Sequence, residues 1–143
     1  MLGKRKLEIV IDSNIWVSFL IGKKLSSLKS LIANQNIRII ISDELIREIV
    51  EVTSRPKLRK YFPPEKVQDF IELLKLISVH HSIEKIESIC RDPKDDFLLA
   101  LSKEMKADYL VAGDKDLLSI GKFDKTLIVA ADNFSKIIKS DEK

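Results

Sequence analysis

The chain has 143 residues, of which 45% are hydrophobic and 33% are charged, as is typical of one globular domain with its own core. Its net charge of +3 is too small to predict nucleic-acid binding by itself, and its single cysteine excludes an intramolecular disulfide framework. The apolar run after the basic start MLGKRK is too short for a signal peptide, and no run is long enough to span a membrane, so we expect a cytoplasmic protein.

Short runs of β-branched residues alternate with segments of helical periodicity along the chain. We predict strands at Leu7–Ile11, Ile37–Ile41, Ser78–His81, Tyr109–Ala112 and Leu127–Ala130. Between and after them we predict helices at 15–20, 25–33, 43–53, 64–77, 94–106, 114–119 and 132–139. This alternation predicts one domain (residues 1–143) with a parallel α/β sheet, helices on both of its faces and a frayed tail at 140–143.

Two carboxylates follow predicted strands. Asp12 ends the first strand, in IVIDSN, and Asp114 lies just past the fourth, in YLVAGDKDLL. Ligands of parallel α/β sheets bind outside the carboxyl ends of the strands, so both acids are candidates for a functional site. Each acid also has a local explanation. Asp12 could form an Asx turn or a helix cap, although Ser13 or Asn14 can already cap the next helix, and Asp114 could cap the helix that follows it.

Glu48 lies on the predicted helix that follows Ser42. On a helical wheel, Ile46, Ile49, Val50 and Thr53 form the inner stripe, with Leu45 and Val52 at its edge. Glu48 lies beside this edge, closer to the apolar stripe than Glu44 and Glu51, which fall on the outer face. It is either a solvated edge residue or a member of the site.

Asp95 and Asp96 open the helix in RDPKDDFLLA. With Asp92 as N-cap and Pro93 as first helical residue, Asp95 falls at the third position, where an acid completes a capping box and favours the helix dipole. Asp96 projects on the side of Leu99 and Ala100, an apolar face, and has no such local role. We therefore predict Asp96 as the functional acid and Asp95 as its helper.

Carboxylates gathered in one place repel each other unless they take up protons or a cation holds them ionised. A pocket of acids without His or Cys ligands favours Mg²⁺ or Mn²⁺, and His80 and His81 lack the spacing of zinc ligands. Such ions commonly act on phosphate esters. Asp116, two residues after Asp114, is a possible additional ligand.

A basic segment, SRPKLRKYF, follows the helix of Glu48. It combines four cations with two aromatic residues and could hold a phosphate backbone, although a solvated loop between helices explains it equally well. The predicted nucleic-acid contacts are Arg55, Lys57, Arg59 and Lys60.

Taken together, the strings IVIDSNIWVSFL, SDELIREIVEVTSRPKLRKYF and RDPKDDFLLALSKEMKADYLVAGDKDLL resemble the PIN-domain family over residues 7 to 135. The chain is most similar to the branch of toxin components of toxin–antitoxin pairs, related to the VapC toxins. The resemblance implies a Rossmann-like, three-layer α/β/α sandwich with a central parallel sheet. It also implies a Mg²⁺- or Mn²⁺-dependent ribonuclease that hydrolyses RNA phosphodiester bonds.

The resemblance also implies roles for individual residues and partners. Asn14 matches a polar residue that supports the first aspartate. A partner antitoxin and a homodimer are further implications. The four family acids, which would be catalytic and metal-binding, fall on Asp12, Glu48, Asp96 and Asp114, with Asp95 and Asp116 as possible further ligands.

The chain departs from the family at Ala112, where a Thr or Ser is common. A hydroxyl that could orient an acid or the surroundings of a metal is missing, and such losses can cost about 10–100-fold in affinity or activity. This leaves an alternative from another class: a catalytically weak or inactive module that binds nucleic acid or a partner. A metal-dependent phosphatase fits poorly, because no D-x-D-x-T follows the first strand.

Overall fold

A computed structural model of the protein describes residues 6–21, 36–89 and 93–141. The helix predicted at 25–33 lies outside the described residues, as do residues 142 and 143. The backbone of the last helix continues to Asp141, two residues into the tail that was predicted to fray.

Most of the predicted elements are present. The strands are β1 (Leu7–Ile11), β2 (Ile37–Ile41), β3 (Ser78–His80), β4 (Tyr109–Val111), β5 (Lys122–Phe123) and β6 (Thr126–Val129). The helices are α1 (Ser13–Leu20), α2 (Asp43–Thr53), α3 (Pro64–Ile77), α4 (Asp96–Glu104), α5 (Lys115–Ile120) and α6 (Ala131–Asp141), with a 3₁₀ turn at Pro93–Asp95.

The strands form one six-stranded sheet in the order β3-β2-β1-β4-β6-β5. All neighbouring strands are parallel except β5 and β6, which pair antiparallel. The α/β fold class is therefore confirmed, with one short antiparallel strand that was not predicted. The hairpin turns at Asp124, whose positive φ of 54° suits the short polar side chain of an aspartate.

The order of the strands reverses between β1 and β4. The chain moves from β1 outward to β2 and β3, and then returns to β4 on the other side of β1. Right-handed connections consequently place α1, α2 and α3 on one face of the sheet and α4 and α5 on the other. The carboxyl ends of β1 and β4 border the crevice at this switch point, where α/β sheets bind ligands.

Helix α2 packs on α1 with a face slightly different from the predicted one. Ser42 caps α2 by accepting a 3.2 Å hydrogen bond from the backbone N–H of Leu45. The buried residues of α2 are Leu45, Ile49, Val52 and Thr53, whereas Val50 is 43% exposed. The prediction that Val50 belongs to the inner stripe was wrong. Because Leu45 and Val52 are buried and Val50 is not, the buried face lies closer to Glu48 than the helical wheel indicated.

Residues 81–89 have no regular secondary structure but lie along α4. The carboxylate of Glu104, at the end of α4, lies 2.8 Å from His81 Nε2 and accepts from the backbone N–H groups of Glu84 and Lys85 at 2.9 and 3.1 Å. Asp96, at the start of α4, accepts from the N–H of Ile89 at 3.1 Å. Two acids of one helix thus hold both halves of this segment.

Candidate active site

Asp12 lies at the end of β1 and is buried, with only 1% of its surface exposed. Its carboxylate accepts hydrogen bonds from the backbone N–H groups of Asn14 and Ser13, so Asp12 itself caps α1, in place of the predicted cap at Ser13 or Asn14. Burial raises the pKa of Asp12, the hydrogen bonds oppose this rise, and the charge of Asp114 adds to it. The site thus begins with an acid whose ionised form is poorly solvated.

Ser13 joins Asp12 to Glu48. The Ser13 hydroxyl is buried and donates to Glu48 Oε1 at 2.8 Å, while Asp12 Oδ1 lies 3.3 Å from the same oxygen. A hydroxyl has one proton, so the shorter contact to Glu48 is the hydrogen bond that it makes at a given moment. Sequence reasoning assigned the supporting role to the side chain of Asn14, but Asn14 is exposed and its backbone N–H is the group that contacts Asp12.

Asp114 and Asp95 form the second pair of acids. Asp114 caps α5 by accepting from the backbone N–H of Asp116 at 3.2 Å, as predicted. Two hydrogen bonds lower the pKa of Asp114. The larger effect comes from the side chain of Asp95, and the next largest from the backbone N–H of Asp116. Because Asp114 in turn raises the pKa of Asp12, it links the two pairs into one electrostatic group.

The contacts of Asp95 and Asp96 differ: the side chain of Asp95 hydrogen-bonds to Asp114. Asp95 is the residue that precedes α4, and as N-cap its side chain makes no capping hydrogen bond; the predicted capping box involves Asp92, which lies outside the described residues. Asp96 lies one residue further, which rotates it by about 100° around the helix. It accepts from Ile89 and borders a separate cavity of about 280 Å³ beneath residues 81–89. The apolar face that suggested a functional Asp96 is the face that α4 buries.

A shallow cleft of about 240 Å³ lies beside Glu48. Four residues of α2, one residue just past its end and one residue of α4 line it: Glu44, Arg47, Glu48, Glu51, Arg55 and Phe97. Of the predicted nucleic-acid contacts, only Arg55 lines this cleft. Arg59 lines a different groove, between α2 and α3. Lys60 lies over the ring of Tyr61, 5.0 Å from its centroid, and Lys57 is exposed.

A family model for the PIN domain matches residues 8–116 of this chain. The match covers more than half of the chain and contains every acid of the candidate site. The chain belongs to the PIN-domain family. The resemblance inferred from the sequence motifs is thereby confirmed.

Two comparisons extend this result. The PIN domain is 31% identical over 134 residues to the uncharacterised protein MJ1680 of Methanocaldococcus jannaschii, covering 88% of this chain and 83% of that protein. Its fold is similar to the crystal structure of Mycobacterium tuberculosis VapC20, described as a toxin that cleaves the sarcin–ricin loop. The TM-score is 0.56, with 14% identity over 82% of this chain and 97% of VapC20.

The acids of this PIN domain do not converge on a preformed metal site. Within the described residues, no group of three or more His, Cys, Asp or Glu side chains is arranged so that it could hold a metal ion. Hydrogen bonds instead join the acids in two pairs. Ser13 connects Asp12 to Glu48, and Asp95 bonds directly to Asp114. Their chemistry nevertheless suits a hard divalent cation, because all the donors are oxygens and one of them is a poorly solvated carboxylate.

Two further features bear on the predictions. Ala112 is fully buried in the hydrophobic core, and its backbone N–H bonds to the carbonyl oxygen of Val129 at 2.9 Å. The effect of its missing hydroxyl on activity stays a prediction. Among the helices in the described parts of the chain, none has the length and apolar character that crossing a bilayer requires.

Proposed function

We propose that this PIN domain is a divalent-metal-dependent ribonuclease that hydrolyses phosphodiester bonds of RNA, and that Asp12, Glu48, Asp95 and Asp114 are its acids. The observation that supports this most directly is the linkage of these acids at the switch point of the sheet. Ser13 bridges Asp12 and Glu48, and Asp114 interacts with both Asp12 and Asp95. Repulsion within such a group favours the arrival of a cation.

In this proposal Asp12, Asp95 and Asp114 hold Mg²⁺ or Mn²⁺. When bound, the ion would make an attacking water more acidic and offset the charge of the phosphate. Glu48 orients that water or holds a second ion, and Ser13 fixes the position of Glu48. Asp116 lies beside Asp114 and remains a possible additional ligand. Asp96 is removed from the proposed ligands, because its carboxylate anchors residues 81–89.

The toxin role is a narrower part of the proposal. It is supported by the similarity in fold to VapC20, which is itself described as a toxin, and by the motifs noted in the sequence. A toxin of this kind would act in the cytoplasm on cellular RNA, with an antitoxin that covers the site, and could form a homodimer. Co-expression with the product of the neighbouring reading frame, followed by co-purification, tests for an antitoxin.

The test of the nuclease function is cleavage of RNA with and without Mn²⁺. Asp12→Asn and Asp114→Asn should each abolish cleavage, because they remove a charge but keep the size and the hydrogen-bond acceptor of the side chain. Lys125→Gln, at the turn between β5 and β6, is the control for general effects of substitution. Cleavage that persists in chelator, or Asp12→Asn and Asp114→Asn variants as active as the parent, would refute the proposal.

The second candidate is a PIN module that binds nucleic acid or a partner without catalysis. Two observations favour it: the acids are not arranged as a preformed metal site among the described residues, and Ala112 replaces a hydroxyl-bearing residue of the family pattern. The two candidates differ in their response to metal. A working site should gain thermal stability in millimolar Mn²⁺, whereas the binding module should not.

A further inference from the structure

We infer that His80 and His81 form a proton-dependent clasp, which joins the helices on both faces of the sheet to the carboxyl end of β3. The two histidines are adjacent, with His80 as the last residue of β3 and His81 directly after it. Because successive side chains along a strand point to opposite faces of the sheet, His80 contacts the start of α2 and His81 contacts the end of α4. The inference concerns the stability of the fold and is independent of the proposed nuclease activity.

The pair of His80 with Asp43 is the more exposed half of the clasp. His80 Nε2 lies 2.8 Å from Oδ1 of Asp43, the first residue of α2, and the two side chains are 43% and 68% exposed. The hydrogen bond from His80 lowers the pKa of Asp43 most, and the charges of His80, Arg47 and Lys75 lower it further. Solvent screens an ion pair of this exposure, so we expect this pair to contribute the smaller part.

The pair of His81 with Glu104 is less exposed and includes part of segment 81–89. His81 Nε2 lies 2.8 Å from Glu104 Oε1, and the two side chains are 26% and 21% exposed. The same carboxylate accepts from the N–H groups of Glu84 and Lys85. Burial raises the pKa of Glu104, but these hydrogen bonds and that from His81 outweigh the effect of burial and lower it. Glu104 is therefore ionised in the range, about pH 6.5, in which an imidazole ordinarily takes up a proton.

The other charges around the pair of His81 and Glu104 come from segment 81–89 and from α4. Lys103 Nζ lies 3.6 Å from Glu87 Oε1, so these two charges largely offset each other. The contact with β2 is uncharged, because the N–H of His81 donates to the carbonyl oxygen of Ile41 at 2.9 Å. The charged residues that line the cavity at this place are Lys85, Glu87, Asp96, Lys103 and Glu104. Glu104 acts on His81 most directly, because its carboxylate bonds to the imidazole.

Protonation changes both pairs in the same direction. A neutral imidazole carries one N–H, which lies on Nε2 in only one of its two tautomers, whereas an imidazolium carries an N–H on both nitrogens and a positive charge. Hydrogen bonds with charged partners are roughly twice as strong as neutral ones. The clasp is therefore tightest between about pH 4.5 and pH 6.5. It loosens above this range as the imidazoles lose their protons, and below it as the pH falls through the lowered pKa values of Asp43 and Glu104.

The experiment measures the Tm of the full chain at pH 5.5 and at pH 8, in chelator, so that bound metal does not contribute. His80→Gln and His81→Gln keep an N–H donor near the position of Nε2 but cannot take up a proton. Each variant is compared with the parent at the same pH, which cancels the contribution of other titrating groups such as Asp12. Glu51→Gln is the matched control, because it removes an exposed charge of α2 whose partner, Arg55, keeps its charge throughout this range.

We expect His81→Gln to lower Tm by about 2–4 °C at pH 5.5 and by less than half of this at pH 8. His80→Gln should act in the same direction with a smaller change, and Glu51→Gln should change Tm equally at both pH values. In a protein that already carries Glu104→Gln, the effect of His81→Gln should no longer depend on pH, because the charged partner is gone. An effect of His81→Gln in the parent that is equal at both pH values, or a pH-dependent effect that persists with Glu104→Gln, would overturn the inference.

Hydrogen exchange of the unsubstituted protein gives a second test. The N–H groups of Glu84 and Lys85 share the carboxylate of Glu104 with His81, so they should exchange faster when the clasp loosens. After correction for the intrinsic effect of pH, we expect their protection to fall about threefold or more between pH 5.5 and pH 8. The N–H of Ile128, which donates to the carbonyl oxygen of Gly121 at 2.8 Å, is the control. Protection at Glu84 and Lys85 that changes no more than at Ile128 also overturns the inference.

Discussion

The adjacent acids Asp95 and Asp96 allow a sharp test of the proposed site. Asp95→Asn removes one of the proposed carboxylate ligands of the cation, and we expect it to lower kcat/KM about 100-fold or more, because losing a residue that only orients a metal ligand already costs about 10–100-fold. Asp96→Asn keeps an oxygen that can accept from the N–H of Ile89. We therefore expect it to retain activity close to that of the parent.

Substitutions at the same two positions should affect stability in the opposite order. Asp96→Ala removes the acceptor of the Ile89 N–H, a hydrogen bond that contributes about 0.5–1.5 kcal/mol, and so lowers Tm by about 2–4 °C for each kcal/mol lost in a chain of this size. Asp95→Asn should lower Tm less, because the side chain of Asp95 makes no capping bond and an amide in its place can still donate to Asp114.

The assay is Mn²⁺-dependent cleavage of single-stranded RNA, with Tm measured on the same preparations by calorimetry or circular dichroism. The matched pair controls for charge, size and position, because the two residues are neighbours and receive the same substitution. An Asp96→Asn variant that folds like the parent but has lost cleavage, together with an active Asp95→Asn variant, would refute the assignment and return the role to Asp96.

Three further predictions concern the other acids and the cation. Burial holds the pKa of Asp12 above its ordinary value of 3.8. The folded protein therefore binds this proton more tightly than the unfolded chain does. The resulting stabilisation is complete below pH 3.8 and is lost as the pH rises through the folded pKa of Asp12. Asp12→Asn should therefore raise the Tm of the metal-free protein at pH 7 and not at pH 3, and an equal change at both pH values in thermal melts would contradict this. Ser13→Ala should lower kcat about 10–100-fold with little change in RNA affinity, because Glu48 loses its 2.8 Å donor; steady-state kinetics on RNA would disprove it if only KM changed. Mn²⁺ at 100 times its Kd should stabilise the protein by about 2.7 kcal/mol in thermal shift assays, and an equal shift in Asp12→Asn would show that the ion binds elsewhere.

The sequence predicted the order and type of the elements well, because their signals are local. Strands such as Leu7–Ile11 are continuous apolar runs, and α2 has both an N-terminal cap at Ser42 and a clear apolar stripe. The missed β5 has two residues and no periodicity that could reveal it. The start of α4 was misplaced because a proline followed by acids fits a capping box and a 3₁₀ turn equally well.

The site was predicted less fully, because its members come together only in the folded chain. Asp12 and Asp114 could be found from their positions after strands, and Glu48 from its place beside an apolar stripe. The choice between Asp95 and Asp96 depended on a rotation of one residue around the helix, which the sequence does not determine. The role of Ser13 depends on a contact across 35 positions of the chain, and no local pattern indicates such a contact.

The segment at 81–89 has no regular secondary structure, yet several of its peptide N–H groups have fixed acceptors. The amide hydrogens of Glu84, Lys85 and Ile89 all point at carboxylates of α4. Proline is therefore excluded at these three places, and an inserted residue would move the donors away from their acceptors. The length of this connection is constrained more tightly than its side chains are, so an engineered insertion is better placed at the hairpin turn at Asp124.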